Sequence, residues 1–75
     1  MIEVFKIQRP LASSETAPPY LAYNRQRTNE LYLRASDPSV RAVFAAAGDP
    51  QKVYVKGELR DDGLHIIGPV DPQPW

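Results

Sequence analysis

The stretch KVYVKGELRDDGLHIIGPV, Lys52 to Val70, decides how this chain folds. Val53 and Val55 alternate with more polar neighbours, as side chains do on the two faces of a strand. Asp62-Gly63 is a pair that readily takes the positive φ angles of a type I′ hairpin turn. A two-residue turn there fixes a register: Asp61 opposite Leu64, Arg60 opposite His65, Leu59 opposite Ile66, Glu58 opposite Ile67. The next pair is Gly57 with Gly68. Two missing side chains at one level, on the face of Leu59 and Ile66, let a sheet bend sharply or another backbone approach closely. Barrel corners are built with such glycines. The alternative is a strand that simply ends near Gly57.

Working outward, Ile2–Gln8 is rich in Ile, Val and Phe and predicts a first strand. LASSETAPP mixes Ser, Thr and Pro and reads as a flexible connection. YLAY and ELYLRA supply the next two strands, with NRQRTN between them as the polar tip of a longer hairpin. In the third strand Leu31 and Leu33 share one face, and Tyr32 and Arg34 the other.

A helix follows. Asp37 suits the N-cap, where its carboxylate accepts from an otherwise unpaired amide. Pro38 takes the first helical position, where a missing N–H costs nothing. Val40, Val43, Phe44 and Ala47 form one apolar stripe. Gly48 permits a left-handed exit and Pro50 blocks continuation. A helix of about ten residues spans roughly 15 Å and is not stable alone in water, so it must lie against the sheet.

The expected class is thus mostly β with one short helix, in β-β-β-α-β-β order. That order and those lengths resemble an OB-fold barrel, five short strands with a single helix before the closing hairpin. An SH3-like barrel or an open α+β sheet is the alternative. Residues 1–70 form one small domain in this reading, and 71–75 a proline-rich tail.

Composition bounds the function. The chain has 75 residues, no cysteine and one histidine, His65. Zinc and haem sites are not expected, and neither is any other metal or cofactor. MIEVFKIQRP lacks an apolar secretory core, and AVFAAA is too short to cross a bilayer. A soluble, cytoplasmic protein without membrane contact is expected. Net charge is zero, which argues against a general polyanion binder. The first 36 residues carry a net +2 and the remainder −2, so a local basic patch is conceivable.

Catalytic groups are sparse. His65 lies beside Arg60 in the expected register with no nucleophile at useful spacing. The Asp61 and Asp62 pair is explained by the turn. Ser13 and Ser14 sit in a loop without a base, and no glycine-rich phosphate loop exists. No enzyme is expected.

The outward faces suggest binding. Tyr32 with Arg34, and Tyr54 with Lys56, set a flat ring beside a cation, the combination that single-stranded nucleic acid needs. Arg25 and Arg27 lie on the adjoining hairpin tip. Tyr20 and Tyr23 have opposite parity, so at most one joins that face. Cross-strand packing explains such tyrosines equally well.

The closing VDPQPW is the other candidate. Pro72 and Pro74 hold it extended, Asp71 adds charge, and Trp75 brings a large ring. It resembles, with far fewer acids, the tails by which bacterial single-stranded-DNA-binding proteins dock other proteins. Trp75 folded back as a lid on the barrel is the competing reading. The broader expectation is an accessory or regulatory protein-binding domain, with single-stranded nucleic acid the alternative partner. A strand edge could also join two copies as a homodimer.

Overall fold

A computed structural model describes residues 1–9 and 19–75. The expected flexible connection, with Ser13 and Ser14, lies outside the described residues except for Pro19. The elements are β1 (Ile2–Gln8), β2 (Tyr20–Asn24), β3 (Glu30–Leu33), α1 (Pro38–Ala46), β4 (Lys52–Arg60) and β5 (Gly63–Pro69). They form one antiparallel sheet in the order β3-β2-β1-β4-β5. The sheet curls into a half-barrel of the expected small, barrel-like class. Its seam, between edge strands β3 and β5, stays open among the described residues.

Alternation gives the sheet two distinct faces. Phe5 and Ile7 of β1 stand opposite Val55 and Val53 of β4, and all four are buried with Ala22 and Leu33. Val40 and Phe44 of α1 close this inner core. The Tyr20 ring stacks on Phe44, centroids 4.9 Å apart and 16° from parallel. Each large apolar side chain buried here stabilises the fold by about 1.5–3 kcal/mol.

The helix starts where expected. Asp37 Oδ1 accepts from the Ser39 amide at 2.9 Å and the Val40 amide at 3.4 Å, with Pro38 in the first position. The exit uses two left-handed residues, Gly48 (φ +83) and Asp49 (φ +54). The Asp49 amide donates to the Phe44 carbonyl at 2.7 Å. The apolar stripe is one turn shorter than the spacing suggests, because Ala47 caps the helix and is exposed. Arg9 ties this exit to the end of β1, donating to the Pro50 carbonyl at 2.8 Å and to Asp49 Oδ1 at 2.9 Å.

The closing hairpin differs from expectation by one residue. Arg60 pairs with Gly63, Leu59 with Leu64, Glu58 with His65, and Gly57 with Ile66. The turn is therefore Asp61-Asp62. Both keep negative φ, and the positive φ falls on Gly63 (φ +124), the position where a glycine follows the turn in longer hairpins. His65 Nε2 meets Asp62 Oδ1 at 2.7 Å and clips the turn in this register.

Gly57 and Gly68 do not face each other. A β-bulge lies between Lys56 and Gly57, and Lys56 pairs with Gly68. The extra residue on β5 is Ile67, which is 58% exposed. A bulge bends its strand and adds twist, so the curl arises at the expected level by another device. Gly57 has a separate reason to be bare: a Cβ there would stand 2.8 Å from Leu64 Cδ1 and 3.2 Å from the His65 carbonyl oxygen. Leu64 fills the space that a side chain would need.

The β2–β3 connection is more than a polar tip. Asn24 is buried; its Nδ2 donates to Thr28 Oγ1 at 2.8 Å and Glu3 Oε1 at 3.1 Å, and its Oδ1 accepts from the Asn29 amide at 3.1 Å. This network fixes the loop and lets Arg27 adopt φ +55.

Candidate functional site: the outer face of the sheet

Opposite the helix, the ladder places Lys6 of β1 directly between Tyr23 of β2 and Tyr54 of β4. The chain after β5 returns across this row. The Val70 amide extends the ladder to the Tyr54 carbonyl at 3.0 Å, and the Trp75 amide bonds the Gln73 carbonyl at 3.0 Å. That three-residue turn centres on Pro74, whose ring presets the φ angle needed.

Trp75 lands on the tyrosines. Its ring meets Tyr23 edge to face (centroids 5.9 Å, 86°) and Tyr54 at a tilt (5.8 Å, 43°). Lys6 Nζ donates to the main-chain oxygen of Trp75 at 3.1 Å, and the Tyr54 hydroxyl points at the same oxygen at 3.4 Å. Lys6 is only 7% exposed. The buried indole Nε1 of Trp75 has no hydrogen-bond partner among the described residues. Arg27 completes the row, its guanidinium 4.1 Å from the Tyr23 ring and Nη1 3.3 Å from Glu30 Oε2.

The nucleic-acid candidates separate into two groups. Tyr32, 71% exposed, projects from edge strand β3; Arg25 and Arg34 are also exposed. Lys56 is exposed on β4, but Tyr54 beside it is 6% exposed and lies under Trp75. Two strands stand between β3 and β4, so Tyr32 and Tyr54 do not form one open stacking platform. Of the tail candidates, Trp75 touches the sheet and Asp71 stays exposed.

From sequence Lys6 is not a candidate, and Tyr23 enters only as an alternative to Tyr20 on the outward face. Their signal was present: a lysine inside the apolar run VFKI, and a tyrosine whose parity opposes Tyr20. A groove of about 380 Å³ adjoins the tail, between the last helical turn at Val43 and Ala46 and the prolines Pro50, Pro69 and Pro72. Both sheet edges are blunted, β3 by its four-residue length and β5 by its bulge and Pro69, features that discourage strand-to-strand joining.

Among the described residues no cluster of three metal-ligating side chains occurs, and no helix is long and apolar enough to cross a membrane. Comparison with protein-family models, curated proteins and solved structures finds no match.

Proposed function

We propose that this domain is a non-catalytic, accessory binding module that holds an extended protein segment against the outer face of its sheet. One observation carries the reading: the Tyr23–Lys6–Tyr54 row already holds Trp75 of the tail, by ring contacts and by two donors on its main-chain oxygen. Recognition by a few aromatic anchors plus a main-chain contact is a common way of gripping extended segments. A partner segment of the same chemistry, an aromatic residue following prolines, fits the row when the resident tail lifts.

The test uses the full chain with Trp75→Ala, which removes the resident ring from the row and leaves only its main-chain oxygen to compete. A synthetic peptide of sequence VDPQPW should shift amide resonances of Lys6, Tyr23 and Tyr54 on titration. No shift at millimolar peptide would refute the reading.

A second reading draws on Lys52 and Lys56, exposed and without carboxylate partners among the described residues. In this reading they hold the backbone of a single strand by charge, and Tyr32 and Arg34, two strands away, form a separate contact. Oligonucleotide binding that weakens as salt rises, with shifts at Tyr32 and Lys56, would favour it.

A further inference from the structure

We infer that Lys6 and Tyr54 form a clamp for an anionic group borne by an aromatic residue, so that the outer face takes an aromatic carboxylate such as the end of a partner chain. This rests on the outer face being the binding surface and names the ligand class it accepts. Two donors on different strands, Lys6 Nζ and the Tyr54 hydroxyl, converge on one oxygen position. Convergent donors suit an oxyanion better than a neutral carbonyl, since bonds with both partners charged are shorter and stronger.

The charge account points the same way. A buried ammonium is normally matched by a carboxylate, and among the described residues no Asp or Glu side chain pairs with Lys6. Among the described residues Lys6 Nζ meets the Trp75 oxygen and, 5.7 Å away, the Tyr23 ring. A carboxylate standing at the position of the Trp75 oxygen gives this ammonium its counter-charge.

The ring slot carries a second preference. Tyr23 and Tyr54 frame the Trp75 ring, but among the described residues nothing accepts from its buried Nε1. Leaving a buried donor unpaired is costly, so a ring without an N–H suits the slot better. Phenylalanine fits that description, and Trp75 is then a resident, displaceable occupant.

The experiment titrates the full chain carrying Trp75→Ala with N-acetyl-phenylalanine and with its amide, followed by amide resonances of Tyr23 and Tyr54. The acid should bind about tenfold more tightly than the amide at neutral pH and low salt, the ratio expected for one charge-assisted contact. Adding Lys6→Met should remove the difference, and Lys6→Arg should keep most of it. N-acetyl-tryptophan should bind several-fold more weakly than the phenylalanine acid. Should Lys6→Met fail to fold, Tyr54→Phe removes one donor and should cut the acid preference to about a third. Equal binding of acid and amide would overturn the clamp and leave the peptide-binding face standing. If neither small probe binds while VDPQPW does, the clamp falls alone; if none of the three binds, the face falls too.

Discussion

Gly57 and Gly68 look equivalent in the sequence, yet they should respond oppositely to alanine. At Gly57 the new Cβ would meet Leu64 Cδ1 at 2.8 Å, Leu64 Cγ at 3.5 Å and the His65 carbonyl oxygen at 3.2 Å. The methyl end of Leu64 can rotate away, but the His65 carbonyl belongs to the β4–β5 backbone and has less room to move. Overpacking of this kind costs about 1–3 kcal/mol. At Gly68 an added Cβ has nothing within 4 Å, and its φ is not in the left-handed region. Alanine there should be neutral or stabilise by about 0.5 kcal/mol through the unfolded chain. The two variants should thus differ by about 2 kcal/mol, roughly 10 °C in Tm for a domain of this size. Urea unfolding followed by circular dichroism, at unchanged m, reads the difference as a midpoint shift of about 1–2 M. Leu64→Ala in the Gly57→Ala background should recover part of the loss, because it removes the atoms that collide. Equal midpoints for the two glycine variants, or a Gly57→Ala cost unaffected by Leu64→Ala, would refute the account of why β4 is bare at that level.

Phe44→Ala should cost about 3–5 kcal/mol, a large part of what a domain this small has, and should abolish a cooperative thermal transition where Phe44→Leu preserves one. Asp37→Ala should cost about 1 kcal/mol by removing the helix cap, while Trp75 fluorescence stays unchanged because the tail lies on the other face. The Asp62 carboxyl is held below its ordinary range by its bond to His65, and Glu58 by its bond to Arg60. A depressed carboxyl stabilises above its unfolded pKa and loses that effect as pH falls through the folded value. Stability should therefore decline below about pH 4.5, and the decline should be shallower in Asp62→Asn plus Glu58→Gln; an unchanged acid limb would show that these pairs contribute nothing.

Local signals in the sequence were read correctly where a single residue dictates a conformation. Asp37, Pro38 and Gly48 set the helix ends through cap and φ requirements that act within a few residues. The Ile, Val and Phe content of Ile2–Gln8 predicts a strand with the observed bounds. The hairpin register was misread because Asp-Gly suits two turns, and the choice depends on a contact, His65 with Asp62, that exists only once the strands have paired. Gly57 and Gly68 then drew a symmetrical explanation that the bulge removes. Tyr54 shows the same limit: its outward parity follows from alternation, but its burial depends on where residues 71–75 travel. Asn24 was hidden for a further reason, since a polar residue reads as surface until its partners Thr28, Asn29 and Glu3 are known to converge on it.

A half-barrel with one nine-residue helix can cover only one face of its sheet, and that constraint shapes the other. Side chains there must tolerate both water and cover, which tyrosine and lysine do by joining an apolar body to a polar tip. The cover supplied by residues 71–75 is nearly balanced. Burying roughly 150 Å² of indole at about 25 cal/mol per Å² stabilises by about 4 kcal/mol. Ordering five residues, two of them prolines, costs about 4–6 kcal/mol. The bonds from Lys6 and Tyr54 add about 1–2 kcal/mol, and the unpaired Nε1 offsets about 1–3 kcal/mol. The sum lies within a few kcal/mol of zero, whereas the inner core, with Phe5, Ile7, Val40, Phe44 and Val55 almost wholly enclosed, is far from such a balance. Lifting of the tail should therefore leave the fold intact, because the side chains beneath it tolerate both water and cover.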